Sequence, residues 1–403
     1  MSVLFAATLA ATVQGSLTVG DRSEARLRTE ATNDGTGTKN RFVADIETTP
    51  SAVLRVWSRR AEIDLGYAPR YTLRDYTTNP TGEIVQRISA GVGLAPDRRT
   101  RVGFGEDFTY GRASFVSLGL GQTSTTTAPP PGAPPVERLP LVLPLNYVVS
   151  RAYLTTSIVV TQLLRFGAYA DYSYSGGTDA TSKTVFPVQI TPRGELTMDV
   201  TITRRDALVS TVRASRVATD ATLVNPPSNI VFLEQLEGIR HAFSRSTDGT
   251  VAAGVSETAA RIGDDARHWK VYPIGEASLR HALSPDRLEG RAYVRLAPIV
   301  DRLTGNLDYQ LQGSLVGLWT PGNVRHGMLF RTILGGAQSV PPSKSAALTI
   351  VTLEAAVGYR TSEHVLLEVG ARAISIRSKG TDPAPLLYMG FVTATFTAER
   401  LRF

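Results

Sequence analysis

Apolar and polar residues alternate with a period of two along most of the chain. From residue 61 to 73 the odd positions are mainly apolar, and the even positions between them include Glu62 and Asp64. The same alternation recurs over 186–202 and 307–319. Successive side chains of a β-strand point to opposite faces, so each of these segments predicts a strand with one apolar and one polar face.

The alternating segments are long, and the connections between them alternate short with long. They run to roughly 12 to 16 residues, whereas strands of soluble proteins average about five or six. The apolar spacing of three and four residues that indicates a helix is not found beyond the amino-terminal segment. This combination is typical of a transmembrane β-barrel, whose closed sheet pairs every backbone polar group within the membrane.

The pattern predicts an all-β fold, an antiparallel up-and-down barrel of about eighteen strands. A count of sixteen stays open, because the alternation is least regular over 230–243 and 288–314. The predicted strands cover residues 16–28, 41–57, 61–75, 84–94, 101–115, 146–160, 165–175, 186–202, 207–219, 230–243, 250–261, 270–283, 288–300, 306–319, 324–337, 347–359, 365–376 and 386–398. A soluble sandwich, solenoid or propeller also alternates, but sandwich strands are shorter and no blade-length repeat is found.

The sequence predicts a signal peptide over residues 1–15 and a single barrel over residues 16–403. The leader contains a short alanine-rich apolar run, although no Lys or Arg precedes it, and a first β-strand is the alternative. The longest predicted loop, 116–144, carries a Thr- and Pro-rich stretch over 123–135. This loop either narrows the pore from inside or forms an extracellular stalk.

The carboxyl end resembles the assembly signal of bacterial outer-membrane β-barrel proteins, because Phe403 closes an alternating last strand. Glu399 stands where those proteins usually place an apolar residue, and Phe396 is out of phase with Phe403, which predicts a bulge or an overhanging tail. The resemblance implies the outer membrane of a Gram-negative bacterium, with both termini periplasmic and the long loops outside. It also implies that outer-membrane lipid and the barrel-assembly machinery are partners.

Composition excludes several other classes of protein. The 403 residues include no cysteine, and no run of apolar residues is long enough for a helical membrane span. The 43 basic and 36 acidic residues are interspersed rather than gathered into one patch, which disfavours nucleic-acid binding. The five histidines lack ligand spacing and no phosphate-binding glycine loop precedes a helix, so we expect no enzyme activity, no metal site and no cofactor.

A barrel of this size encloses a water-filled channel. We therefore expect a porin-like channel for passive diffusion of small hydrophilic solutes or ions, with a weak preference for anions. Two alternatives stay open: a non-conducting structural or interaction barrel, and a substrate-specific transporter for an amphipathic molecule, which would have a tight lumen and a lateral opening. The oligomeric state is not predicted.

The charged residues in the polar phase of the strands are predicted to line the pore. Charged rings tune ion selectivity, while opposite charges on neighbouring strands brace the wall. The predicted pore-lining residues are Arg55, Arg70, Arg74, Arg87, Arg151, Arg193, Arg291, Arg295, Arg331, Arg372, Glu62, Asp64, Glu195, Asp199 and Asp308.

Overall fold

The computed structural model describes residues 14–33, 38–75, 81–114, 144–221, 226–284, 287–300, 305–321, 326–340, 348–378, 387–398 and 401–402. Almost all of these residues lie in β-strands. The strand segments are β1 (Gln14–Asn33), β2 (Thr38–Trp57), β3 (Ala61–Tyr67), β4 (Arg70–Arg74), β5 (Thr81–Leu94), β6 (Thr100–Ser114), β7 (Pro144–Val159), β8 (Leu164–Gly177), β9 (Gln189–Thr201), β10 (Asp206–Thr219), β11 (Ser228–Ala242), β12 (Thr247–Ile262), β13 (His268–Ser284), β14 (Leu288–Val300), β15 (Leu307–Trp319), β16 (Gly327–Ser339), β17 (Leu348–Ser362), β18 (Val365–Ser378), β19 (Leu387–Thr397) and β20 (Leu401–Arg402).

These segments form one closed antiparallel barrel of eighteen wall strands. Each wall strand pairs with the next one along the chain, and β1 closes the sheet by pairing with β19. β3 and β4 together form one wall strand, since both pair with β2 on one side and β5 on the other. β20 belongs to the last wall strand, because it also pairs with β1. The predicted barrel of eighteen strands is confirmed.

Apolar side chains cover the outside of the barrel. On β5, for example, Ile84 and Ile88 are exposed, whereas Glu83 and Val85 are buried inside. Exposed large apolar residues of this kind occur on nearly every wall strand. An exterior so rich in apolar side chains is typical of a barrel wall in contact with lipid.

The two ends of the barrel differ in the length of their connections. We call them the short-turn end, where β5 joins β6, and the long-loop end, where β6 leads to β7. Among the described residues, no helix has the length and apolar character of a bilayer span. Residues 1–13, Phe403 and the predicted loop up to residue 143 lie outside the described residues, and β1 begins at Gln14, just before the predicted start of the barrel.

One short helix, α1 (Ala180–Val185), interrupts the predicted loop between β8 and β9. The side chain of Asp179 caps it by accepting hydrogen bonds from the backbone N–H and the hydroxyl of Ser182, each at 2.8 Å. The Ser182 N–H, together with the amide of Asn146, lowers the pKa of Asp179. The sequence pattern predicted no helix here, because a six-residue helix is too short to show apolar periodicity.

Near the long-loop end, the upper part of the β14–β15 hairpin turns away from the wall. β13 pairs with β14 only from Gly275 to Ser284, although β13 itself begins at His268. β14 and β15 stay paired to each other up to Val300 and Leu307. We call the two described arms of this inward-turned hairpin, 297–300 and 305–309, the tongue, since β15 pairs with β16 from Gln310 onward.

Candidate functional site

The lumen contains three groups of ion-paired side chains. The first joins β1, β2, β4 and β5 near the long-loop end. There Arg28 Nε lies 2.8 Å from Asp45 and Arg74 Nε lies 2.9 Å from Glu83, and all four side chains are buried. Arg26 and Glu47 form a further pair in this group.

The second and largest group runs along β7 to β11 and reaches β13 and β14. Arg213 is at its centre, with contacts to Glu195 at 3.0 Å and to Glu276 at 3.1 Å. The remaining contacts are Arg151–Asp171 at 3.3 Å, Arg193–Asp171 at 3.7 Å, Arg193–Glu195 at 2.6 Å, Arg213–Glu234 at 3.8 Å and Arg295–Glu234 at 3.0 Å. Acids and arginines alternate along this chain of contacts, so each charge has neighbours of opposite sign.

The third group lies on β16, β17 and β18. Glu354 accepts from Arg372 Nε at 2.8 Å and contacts Arg331 at 3.1 Å, and Arg331 also lies 3.4 Å from Glu368. The contacts of this third group join neighbouring strands or strands two apart. Cross-strand pairs of opposite charge stabilise a sheet locally, so the three groups brace the wall while keeping the lumen polar.

The fifteen residues predicted to line the pore all lie on wall strands, but they do not form a single site. Twelve enter ion pairs described above or similar ones, including Arg55 with Glu62 and Asp64 near the short-turn end. Asp308 instead accepts hydrogen bonds from Gln310 and Ser339 at 2.6 Å. Among the described residues, Arg87 is exposed and has no ion-pair partner. Whether these residues govern the passage of a solute stays a prediction.

Sequence reasoning missed several lumenal charges, above all Glu234 on β11. Glu234 is 0% exposed and contacts Arg295 from three strands away. It shares its face of β11 with the buried residues Ile230, Phe232 and Leu236. This lumenal face is apolar because the tongue covers it, so the usual rule of apolar outside and polar inside fails on β11. The irregular alternation over 230–243 was the available signal.

The tongue packs against the inner wall through two apolar clusters. In the first cluster Val300 lies with Val217, Ile230 and Phe232, and in the second Ala297 lies with Leu236, Ala252 and Ile274. The Tyr309 hydroxyl donates to the carbonyl of Pro273 at 2.6 Å. The buried apolar area and the Arg295–Glu234 pair hold the hairpin inside the barrel, where it narrows the lumen.

Gly305 is on the second arm of the tongue and has a left-handed backbone, with φ at +69°. A side chain at this position would contact Ser228 and Thr219 on the wall near the long-loop end. Glycine is therefore the residue that permits both the backbone turn and the close approach. Within the described ranges, no group of three His, Asp or Glu side chains is suited to hold a metal ion.

A closed eighteen-stranded barrel with an apolar exterior and a polar, ion-paired lumen has the architecture of the outer-membrane β-barrel proteins. A model of the EpsX exopolysaccharide export family matches residues 9–390. The chain therefore belongs to the EpsX exopolysaccharide export family. No curated protein matches the chain.

Solved barrel structures are similar in fold and distant in sequence. The apoprotein form of the FrpB iron transporter from Neisseria meningitidis is 9% identical, with a TM-score of 0.50 over 90% of this chain and 62% of that chain. OccK5 (OpdH) from Pseudomonas aeruginosa is 11% identical, with a TM-score of 0.44 over 95% of this chain and 97% of that one. OccAB2 from Acinetobacter baumannii is 11% identical, with a TM-score of 0.42 over 96% and 98% of the two chains.

Proposed function

We propose that this protein is an outer-membrane channel for a hydrophilic solute, and that the solute is an exopolysaccharide chain. The observation that carries the proposal is the contrast between the two faces of the wall. Apolar side chains cover the outside, while arginines, acids and hydroxyl groups cover most of the inside. A polar lumen within an apolar wall is what a hydrophilic solute needs in order to cross a membrane.

Membership of the EpsX family narrows the solute from small hydrophilic molecules in general to a polysaccharide. A glycan chain offers many hydroxyl groups and suits a lumen lined by hydrogen-bonding side chains. In our proposal the long loops face outward, the termini and short turns face the periplasm, and the barrel-assembly machinery inserts the chain into outer-membrane lipid. These placements rest on the general behaviour of single-chain bacterial barrels.

A non-conducting structural barrel is the strongest rival, since many lumenal charges are paired with each other and the tongue narrows the lumen. Conductance recordings of the purified protein in planar lipid bilayers distinguish the two functions. We expect discrete conductance steps that soluble neutral polysaccharide fragments block transiently from one side. Polyethylene glycol of the same hydrodynamic size is the control and should block more weakly. Many insertions without conductance would contradict the channel function.

A further inference from the structure

The wall of the barrel has an unpaired seam beside the tongue. Residues 268–274 of β13 pair with β12 on one side, but on the other side they have no partner strand among the described residues. The missing partner would be the first arm of the tongue. That arm is present in the structure, but it lies inside the lumen.

The register of β13 and β14 defines how the seam would close. Below the seam Gly275 pairs with Leu296, and the pairing continues to Arg280 with Arg291 without a shift. Continuing this register upward would pair Ile274 with Ala297, Pro273 with Pro298, Tyr272 with Ile299 and Val271 with Val300. The two prolines would face each other, and neither has a backbone N–H to donate to the ladder. The point where the strands separate is therefore encoded by Pro273 and Pro298.

The sequence of the tongue suits a position in the wall as well as its position in the lumen. Val294 on β14 and Leu311 on β15 are exposed on the outside, and two-residue alternation places Val300 and Tyr309 in the same outward phase. Val271, which would be the neighbour of Val300, is 62% exposed on the outer surface. Val300 would thus face lipid in the wall, whereas it now packs with Ile230 inside.

We propose that the tongue is a gate with two positions: folded into the lumen, as seen here, and zipped onto β13 as part of the wall. The inward position is the resting state, because leaving it exposes Ile230, Phe232 and Leu236 to water. The outward position restores the β13–β14 ladder and clears the lumen beside β10, β11 and β12. An element with two discrete packings of this kind is a common basis for gating.

The chain contains no cysteine, so paired cysteines can trap each position. Ile230→Cys with Val300→Cys reports the inward position, and Val271→Cys with Val300→Cys reports the outward one. Val212→Cys with Val300→Cys is the negative control, since Val212 faces outward on β10 away from both positions. Ala355→Cys with Ala371→Cys, a directly paired couple on β17 and β18, is the positive control for oxidation.

In reconstituted vesicles under mild oxidant, we expect disulfides in both tongue pairs, with the outward pair forming at least tenfold more slowly, and none in the negative control. Formation of the inward disulfide alone, while the positive control goes to completion, would show that the tongue is fixed. A disulfide in the negative control would show unspecific unfolding and would equally overturn the two-position gate.

A role of this movement in transport rests on the channel function proposed above. Conductance is therefore measured separately from disulfide formation. We expect the oxidised outward pair to conduct several-fold more than the oxidised inward pair, and reduction to abolish the difference. Equal conductance of the two trapped forms would overturn the gate. If both disulfides form and every variant is silent, the channel function fails while the two positions of the tongue are established.

Discussion

Glu234 and Arg295 show how much one buried charge inside the barrel depends on its partner. Glu234 is completely buried, and Arg295 lies 3.0 Å away. Removing one member of a buried ion pair leaves the other charge without compensation in a poorly solvated place, which costs about 3–5 kcal/mol in typical cases. An exposed ion pair contributes about 0–1 kcal/mol, because water already solvates both charges.

We therefore expect Glu234→Gln to lower the free energy of unfolding by about 3 kcal/mol, as measured by urea titration with the folded band on a gel as readout. The double variant Glu234→Gln/Arg295→Met should recover most of this loss, since no charge is then left unpaired. Arg55→Ala, at an exposed ion pair, is the matched control and should change stability by at most about 1 kcal/mol. Equal losses in Glu234→Gln and Arg55→Ala would contradict the account of the lumen.

Where the wall is regular, the polar phase of a strand indicates which side chains lie on the same face. Arg193 and Glu195 stand two positions apart in the polar phase of β9, and the structure brings them to 2.6 Å. Glu234 could not be identified in this way, because the residues on either side of it in the same phase are Phe232 and Leu236. Which face of β11 is lumenal depends on the tongue, and the tongue is a contact between distant parts of the chain.

At the level of the strands, alternation alone predicted the number and order of the wall strands. It predicted their ends less well, as with β8 and β9, which flank the short helix α1. The break between β3 and β4 also went unpredicted, since the apolar phase of Leu65 and Tyr67 continues unchanged at Tyr71 and Leu73. Two-residue alternation cannot reveal a break in a strand when the apolar residues keep the same phase on both sides of the break.

The tongue is the clearest limit of the pattern. Residues 288–300 and 306–319 were predicted as two strands of the barrel, although the alternation is less regular over 288–314 than elsewhere. This sequence is compatible with a position in the wall and with a position in the lumen. Val300 is apolar, so it can be buried either in lipid or in a protein core. Only Pro273 and Pro298 mark the point where the tongue leaves the wall. That these two prolines face each other is known only once the register of β13 and β14 is known.

Close packing between β11 and β12 gives a prediction for a single glycine. A Cβ atom on Gly254 would lie 1.8 Å from the carbonyl oxygen of Gln235, whereas a Cβ on Gly194 would meet no atom within 4 Å. We expect Gly254→Val to block correct pairing of these strands and to reduce the folded fraction in outer membranes at least fivefold.

Gly194→Val is the matched control and should assemble normally, because the same change adds the same side chain in open space. The folded fraction is measured by the difference in gel migration between heated and unheated membranes. Normal assembly of the Gly254→Val variant would show that β11 and β12 are farther apart than described.

For the molecule as a whole, the balance of lumenal charges determines ion selectivity. Most arginines of the lumen are paired with acids, so they contribute little net field to a passing ion. Arg87 is exposed in the lumen and has no ion pair among the described residues. We expect it to account for much of the weak anion preference.

Arg87→Glu should shift the reversal potential in a potassium chloride gradient toward cation preference, whereas Arg87→Lys should leave it unchanged because the charge is kept. The measurement uses single channels in planar bilayers with the salt gradient in both directions. An unchanged reversal potential in Arg87→Glu would place the selectivity of the channel elsewhere.

We propose that the barrel carries an exopolysaccharide through the outer membrane, and polysaccharide export by the bacterium that encodes it is the decisive measurement. Surface and periplasmic polysaccharide are quantified in a deletion strain and in strains complemented with the wild-type protein or the Ile230→Cys/Val300→Cys variant. We expect the deletion to remove polysaccharide from the surface and to raise its periplasmic amount. The wild type should restore export, and the variant should restore it only under reducing conditions. Undiminished surface polysaccharide in the deletion strain would contradict the account.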